Sequence, residues 1–268
     1  MTQDLPAHAV IRPLTYKDVD ACLELENIVF ENPAERCSLE NLKYRLKVCP
    51  ELCAGVFLRT FKDPSASEQD RPDQGDDETT NGPEQQPEIE DRDEDYEDID
   101  DTESDDDGVP ADRLRSRDLR TGDLPPGQSM LESEKLIGHI LATKATSEVV
   151  TMESMDKPEV DEYGRNKDPQ NDPRGHREEG RTICIHSVGV LPEFRGKSIA
   201  TIMLKDYIQR ITTQHIADRI ALICHDHLMP FYSRSGFVDA GKSELTFGGQ
   251  EWYNMWIPLS DTDDEDEE

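Results

Sequence analysis

The turn Arg195-Gly196-Lys197-Ser198-Ile199-Ala200 carries the most pointed chemistry in the chain. It follows the strand-like run Thr182 to Val190 and precedes a run with apolar residues at helical spacing. A helix start offers unpaired backbone N–H groups and the positive end of the helix dipole. Gly196 and Ala200 leave an anion room to reach the backbone, and Arg195 and Lys197 add positive charge, so a phosphate suits the turn. An ordinary helix start can have the same local sequence, which leaves the turn by itself open. His225-Asp226-His227 has metal-ligand residue types, but residues alternating at a strand end face opposite ways and no third ligand stands nearby, so no metal is expected. Of the six cysteines, only Cys49 and Cys53 are close, with no second pair or histidine spacing to suggest zinc; free thiols in a reducing compartment are expected.

A net charge of −31 over 268 residues argues against a nucleic-acid binder, because phosphate backbones repel such a chain. The charge is concentrated. Residues 62–134 hold 27 acidic against 7 basic side chains, a net of −20, and the stretch Glu88 to Asp107 has almost no apolar residue. That is the composition of a disordered segment, suited at most to tethering a basic protein partner. Asp261 to Glu268 adds seven acidic groups, which leaves about −4 for the remainder. No 18-residue apolar run exists, and Met1-Thr-Gln-Asp-Leu-Pro lacks the basic and apolar regions of a secretory signal. A soluble cytoplasmic monomer with no membrane contact is expected.

The elements that must position the turn can be read from period and punctuation. Val10 to Leu14 reads as an edge strand, and Thr15 as the N-cap of a helix through Val19, Cys22, Leu23, Leu25 and Phe30, ended by Asn32-Pro33. Ser38 starts a second helix, and Leu52 to Phe61 is a strand that would pair with Lys135 to Lys144 across the looped-out acidic segment. Met155 to Gly180, rich in Pro, Gly and charge, is too irregular to be core and is expected as a second disordered insertion. Then come the strand Thr182 to Val190, an amphipathic helix from Ser198 to Ile211, the strand Arg219 to Cys224 and a short helix at Met229 to Arg234. Leu245 to Phe247 and Trp252 to Leu259 are expected to form a terminal hairpin around Gly248-Gly249.

In this setting Arg195-x-x-Ser198-x-Ala200, after Val188-Gly189-Val190-Leu191-Pro192, resembles the Arg/Gln-x-x-Gly-x-Gly/Ala motif of the GCN5-related N-acetyltransferase (GNAT) superfamily. Pro230-Phe231-Tyr232-Ser233-Arg234-Ser235-Gly236-Phe237 is similar to that superfamily's "FYxxxGF" segment. Within it, Cys49-Pro50-Glu51-Leu52 with Gly55-x-Phe57, His186-Ser-Val-Gly-Val190 and Cys224-x-Asp226-x-Leu228-x-Pro230 resemble the arylalkylamine (serotonin) N-acetyltransferases, with polyamine-acetylating fungal relatives also in range. The resemblance covers nearly all of Ile11 to Leu259 outside the two insertions.

The resemblance implies an α/β GNAT fold: one mixed, mostly antiparallel sheet of about six or seven strands with about four flanking helices. Its parts would be 9–61, a disordered acidic insertion 62–134, 135–259 with an irregular insertion 155–180, and an acidic tail 260–268. It implies acetyl-CoA as cosubstrate, no metal, and direct acetyl transfer to a small primary amine, an arylalkylamine or a polyamine. His186 would be the base and Tyr232 the acid for the departing thiolate. Val188, Gly189, Val190, Arg195, Gly196, Lys197, Ser198, Ile199, Ala200 and Thr201 would hold the cosubstrate. Phe30, the loop residues Cys37, Ser38 and Leu39, and Ile223, Phe247 and Trp252 would hold the amine. Ser198 and Ala200 stand where the subfamily usually has glycine, Ser38 where it has proline, and Cys184 where it has the first of two histidines. A protein N-terminal or lysine acetyltransferase, and a non-catalytic acetyl-CoA-binding scaffold, are the alternatives.

Overall fold

The apolar periods become strands and helices in a computed structural model that describes residues 5–62 and 131–259. In chain order these are β1 (Ala9–Pro13), α1 (Val19–Val29), α2 (Leu39–Val48), β2 (Ala54–Phe61), β3 (Leu131–Ala145), the single-turn α3 (Met152–Met155) and β4 (Thr182–Val190). α4 (Ile199–Gln214), β5 (Arg219–Cys224), the short α5 (Met229–Ser233), β6 (Val238–Lys242) and β7 (Tyr253–Pro258) follow. The strands form one sheet in the order β1-β2-β3-β4-β5-β7-β6, antiparallel throughout except for β4 and β5. This is the mixed, mostly antiparallel architecture expected, and β2 and β3 pair as anticipated.

The core lies between the sheet and the helices. α1 contributes Cys22 and Leu25, α2 contributes Leu42 and Leu46, and α4 contributes Ile199, Met203, Leu204, Tyr207 and Ile211, all buried against Ile137, Ile140, Ile183 and Ile185. The Tyr207 hydroxyl donates to the Leu52 carbonyl at 2.9 Å, so its burial leaves no unmet donor. Ser38 caps α2 as expected, its Oγ accepting the Asn41 N–H. Thr15 is the N-cap of the 3-10 turn Tyr16–Asp18 that leads into α1, in a capping box with Asp18, whose carboxylate accepts the Thr15 N–H and hydroxyl and pairs with Arg12 at 2.9 Å. All six cysteines are unpaired. Among the described residues no helix is long and apolar enough to cross a membrane.

Three boundaries differ from the sequence reading. Most of the segment expected to be disordered, and the acidic tail, lie outside the described residues, but Leu131–Glu134 belong to β3, where Glu134 bridges Arg12 at 3.1 Å and Arg59 at 2.8 Å. Charge composition hid this strand start, because its side chains are partnered across the sheet. The second insertion is irregular but not disordered. The His176 N–H donates to the Tyr44 hydroxyl, the Gly175 N–H to the Glu153 carbonyl, and the Arg177 N–H to the Lys144 carbonyl, which ties 155–180 to α2, α3 and β3. The terminal hairpin uses β6 rather than Leu245 to Phe247, and Phe247–Gly249 is a 3-10 turn. β6 is an edge strand exposed along its whole length, so it has no apolar alternation to read.

Phe61 pairs with Leu131, so the two ends of the connection between β2 and β3 are adjacent. A chain with Lys62 joined to Leu131 by a short turn is expected to melt within a few degrees of the full protein in a thermal scan. Extending the deletion through Glu134 should cost about 1 to 2 kcal/mol, the scale of two partly exposed ion pairs. Equal stability of the two deletions would contradict this account of β3.

Candidate active site

The parallel pairing of β4 with β5 lasts only from Thr182–Ile185 against Arg219–Leu222. Beyond it β4 continues alone on that side, pairing only with β3, while β5 continues to pair with β7. The strands part and leave a cleft of about 490 Å³ between Ser187, Val188 and Val190 on one wall and Leu222, Ile223 and Cys224 on the other. A strand's N–H and C=O groups alternate sides. The Leu191 N–H points to the Ile137 carbonyl on β3, so the Val190 and Val188 N–H groups point away from β3, into the gap. The Val190 carbonyl, directed the same way, accepts from Arg195 Nε at 3.3 Å.

His186 reaches the cleft through a β-bulge. The pairing of β3 with β4 shifts by one residue between Leu141 and Ala142, which leaves His186 as the extra residue. His186 and its neighbour Ser187 therefore address the same face: His186 Nε2 meets Thr143 Oγ1 at 2.8 Å, and Ser187 Oγ meets His139 Nε2 at 3.2 Å, with His139 and Thr143 four residues apart on β3. The Thr143 hydroxyl donates to the Ser154 carbonyl, so its oxygen accepts from His186 Nε2–H, and that tautomer leaves a lone pair on Nδ1. His186 Nδ1 is buried and has no partner. Burial, then the nearby Arg45 guanidinium, holds the imidazole well below its ordinary pKa. The base expected at His186 is thus one that stays neutral into the acid range.

Tyr232, on α5, is buried and lines the same cleft. Burial, then the adjacent Cys224, raises its phenol, so it keeps its proton through the physiological range. At the other end, the α4 start presents Arg195 and Ala200 to the cleft. Gly196 takes φ 75° and Ser198 takes φ 60°, a left-handed backbone that an L side chain adopts at a cost. Ser198 makes no side-chain cap, so its hydroxyl does not satisfy the helix's first N–H groups. Lys197 is exposed, its ammonium 5.1 Å from the centre of the Phe194 ring. Three residues expected to hold the cosubstrate are placed otherwise. Gly189 faces α1, where a Cβ would lie 2.8 Å from Leu25 Cδ2, because strand alternation turns it away from Val188 and Val190. The Ile199 side chain is core, which leaves its backbone alone available, and Thr201 does not line the cleft.

Phe30, Ile223, Phe247 and Trp252 line the cleft together, as expected of an amine pocket. Cys37 and Ser38 line an adjoining side cavity that shares His186 and Phe247 with the cleft. Leu39 lines neither; it begins α2 and packs on the core, since the first helical turn points it inward. Glu35 was missed, although the loop that carries it had been singled out. Its side chain is 12% exposed and is the cleft's only carboxylate among the described residues, where it meets Asn32 Nδ2 at 2.9 Å and His225 Nε2 at 3.2 Å. Asn32 also donates to the Gly248 carbonyl, and a Cβ on Gly248, whose φ is +64°, would fall 2.7 Å from Glu35 Cγ. That glycine lets the two loops close. His225 and His227 do not face opposite ways: their rings stack at 5.6 Å, and His225 stacks on Trp252 at 4.2 Å. Among the described residues no group of side chains could hold a metal.

Glu26 joins the layers beneath the site. Its fully buried carboxylate meets His139 Nε2 at 2.9 Å and accepts the Ser187 hydroxyl at 2.5 Å and the Cys37 N–H at 2.8 Å, linking α1, β3, β4 and the loop before α2. Burial by itself would raise this carboxyl, but the bonds from His139, Ser187 and Cys37 bring it below its ordinary value.

Residues 171–259 match a family model described as an acetyltransferase (GNAT) domain. Serotonin N-acetyltransferases of Mesocricetus auratus and Homo sapiens are each 34% identical over 84 residues, which is 31% of this chain and 41% of each relative. The chain thus spans about two fifths of the length of the curated relatives it matches. Among solved structures, the loading GNATL domain of CurA from Lyngbya majuscula superposes with a TM-score of 0.51 at 8% identity, covering 94% of this chain and 98% of that one. At that identity the likeness is one of fold.

Two stability measurements follow from the site. Because the folded Glu26 pKa is depressed, its contribution is present above the ordinary glutamate range and is lost as pH falls through the folded value. Glu26→Ala is expected to cost about 3 to 5 kcal/mol in urea melts near neutral pH, as removal of one member of a buried pair does, with the deficit shrinking below about pH 4. A deficit that grows on acidification would sink the assignment. Ser198→Gly should stabilise the protein by about 1 kcal/mol by relieving the left-handed backbone; destabilisation would mean the hydroxyl has a role the geometry does not show.

Proposed function

Because residues 171–259 match an acetyltransferase (GNAT) domain model, we propose that this protein is an acetyl-CoA-dependent N-acetyltransferase that passes acetyl directly to a small primary amine, an arylalkylamine or a polyamine. One observation carries the reading: a half-buried, neutral imidazole with an unpartnered Nδ1 lines the gap where two parallel strands part, opposite a protonated phenol. The aromatic walls of the cleft and the similarity to serotonin N-acetyltransferases support the amine class.

The chain's groups suit the parts of such a cosubstrate. The α4 N–H groups, with Arg195 and Lys197, suit its phosphates, and the Val188 and Val190 N–H groups suit its pantetheine arm and can polarise an acetyl carbonyl. Bound acetyl-CoA supplies an activated acetyl thioester. His186 Nδ1 accepts a proton from the amine, directly or through one water, because the nucleophile must be neutral. Tyr232 holds a proton at its hydroxyl for the sulfur that leaves. Cys224 also lines the cleft, but burial pushes its thiol up to about 12, and Cys184 likewise, so neither is a thiolate near pH 7. The lack of a thiolate at either cysteine supports direct transfer.

His186→Gln and Tyr232→Phe should each lower kcat by about 10² to 10⁴ with acetyl-CoA and an amine in steady state. The wild-type acid limb should lie below the ordinary imidazole range, since the lowered His186 pKa keeps the base unprotonated to lower pH, and the Gln variant should lack that limb. Rates near wild type in both variants, or ping-pong kinetics through an acetylated cysteine, would overturn the assignment.

A further inference from the structure

The Glu35 carboxylate sits in an apolar, aromatic-walled cleft with no lysine or arginine paired to it. Its partners are the neutral Asn32 amide and the His225 ring. Arg36, next in sequence, is turned away: its Nε donates to the Phe30 carbonyl, and its terminal nitrogens to Asn27 Oδ1 and the Glu31 carbonyl. Arg45, which lines the side cavity, donates to the Met155 carbonyl and meets Cys37 Sγ. No lysine or arginine forms an ion pair with Glu35 among the described residues. A nearly buried carboxylate that no lysine or arginine neutralises is costly, and one flanked by aromatic faces is a site for an organic cation.

That cation is not the reacting amine, which must lose its charge beside His186. We propose that Glu35 is a specificity-determining residue that binds a second, still protonated ammonium of the acceptor, so that the preferred substrates are diamines or longer polyamines rather than monoamines. This deepens the proposed acetyl transfer and rests on it. An alkylammonium has a pKa near that of lysine, about 10.4, so the distal group of a diamine is charged at neutral pH while the proximal one gives its proton to the base. Phe30, Phe247 and Trp252 wall the path between the two ends, and Trp252 is fixed by the bond from its Nε1 to the Phe247 carbonyl at 2.6 Å. Methylene groups linking two amines would pass along these faces. The loop contact between Asn32 and Gly248 holds Glu35 in place, which makes the spacing between the two ends a property of the fold.

The test compares the full chain with Glu35→Gln and Glu35→Asp, using an α,ω-diamine series, spermidine, and the monoamines butylamine, tryptamine and phenethylamine. For wild type, kcat/KM is expected to be higher for diamines than for matched monoamines, to peak at one chain length, and to fall more steeply with added salt. Glu35→Gln should lower the diamine-to-monoamine ratio by about tenfold or more, and Glu35→Asp should restore part of it or shift the preferred length. Calorimetric binding of diamine and monoamine without acetyl-CoA should show the same ratio change, independently of turnover. An unchanged ratio in both measurements, or a wild type that does not distinguish diamines from monoamines, overturns the proposal. If no amine is acetylated while diamines still bind through Glu35, the transfer reading fails and with it the substrate preference, and only the ammonium site at Glu35 stands. Should Glu35→Gln not fold, the chain-length and salt series on wild type decide the matter.

Discussion

The parallel contact between β4 and β5 stops after four residue pairs, and the arrangement around it depends on that stop. Parallel strands are normally buried and continuously paired. Here the released edge of β4 exposes backbone donors and the released edge of β5 exposes an apolar wall, so the sheet itself opens a binding cleft in its middle. α4 connects the two strands and must begin where β4 ends, which brings its unpaired N–H groups to the mouth of the gap. α5 follows β5 and carries Tyr232 to the opposite side. Cosubstrate site, base and acid are thus consequences of one interruption in one ladder.

Two buried polar assemblies maintain that geometry from below. Glu26 binds His139, Ser187 and the Cys37 N–H, so the α1 helix, two central strands and the loop at the amine pocket share a single carboxylate. The bulge at His186 is the second device. It sends two consecutive side chains to one face, giving Ser187 to Glu26 while aiming His186 at Thr143 and the cleft. Burial around His186 keeps it neutral, which weakens it as a base but guarantees that its lone pair is present.

Local patterns made much of this legible. β4 and β5 were read to the residue, because apolar runs bounded by turn residues leave little choice of period, and the caps at Ser38 and the glycine at position 196 announced their elements. β6 was not read, since an exposed edge strand needs no apolar alternation, and the ordered path of 155–180 rests on bonds to distant elements that no local window contains. Glu35 went unnoticed for the same reason: a carboxylate in a polar loop looks solvated until its partner His225, 190 residues away, is known.

What the sequence by itself determined was the chemistry available: a phosphate-friendly helix start, one imidazole on a strand, one phenol after the next strand, and the family resemblance that orders them. Tertiary structure decided which of those groups meet and in what state. A bulge, invisible in residue types, chose the face of His186; strand alternation removed Gly189 from the cleft; and burial set the protonation of His186 and Tyr232. Periodicity records how each segment sits on its neighbours, whereas the direction of a side chain and the dielectric around it are set by contacts between segments far apart in the chain.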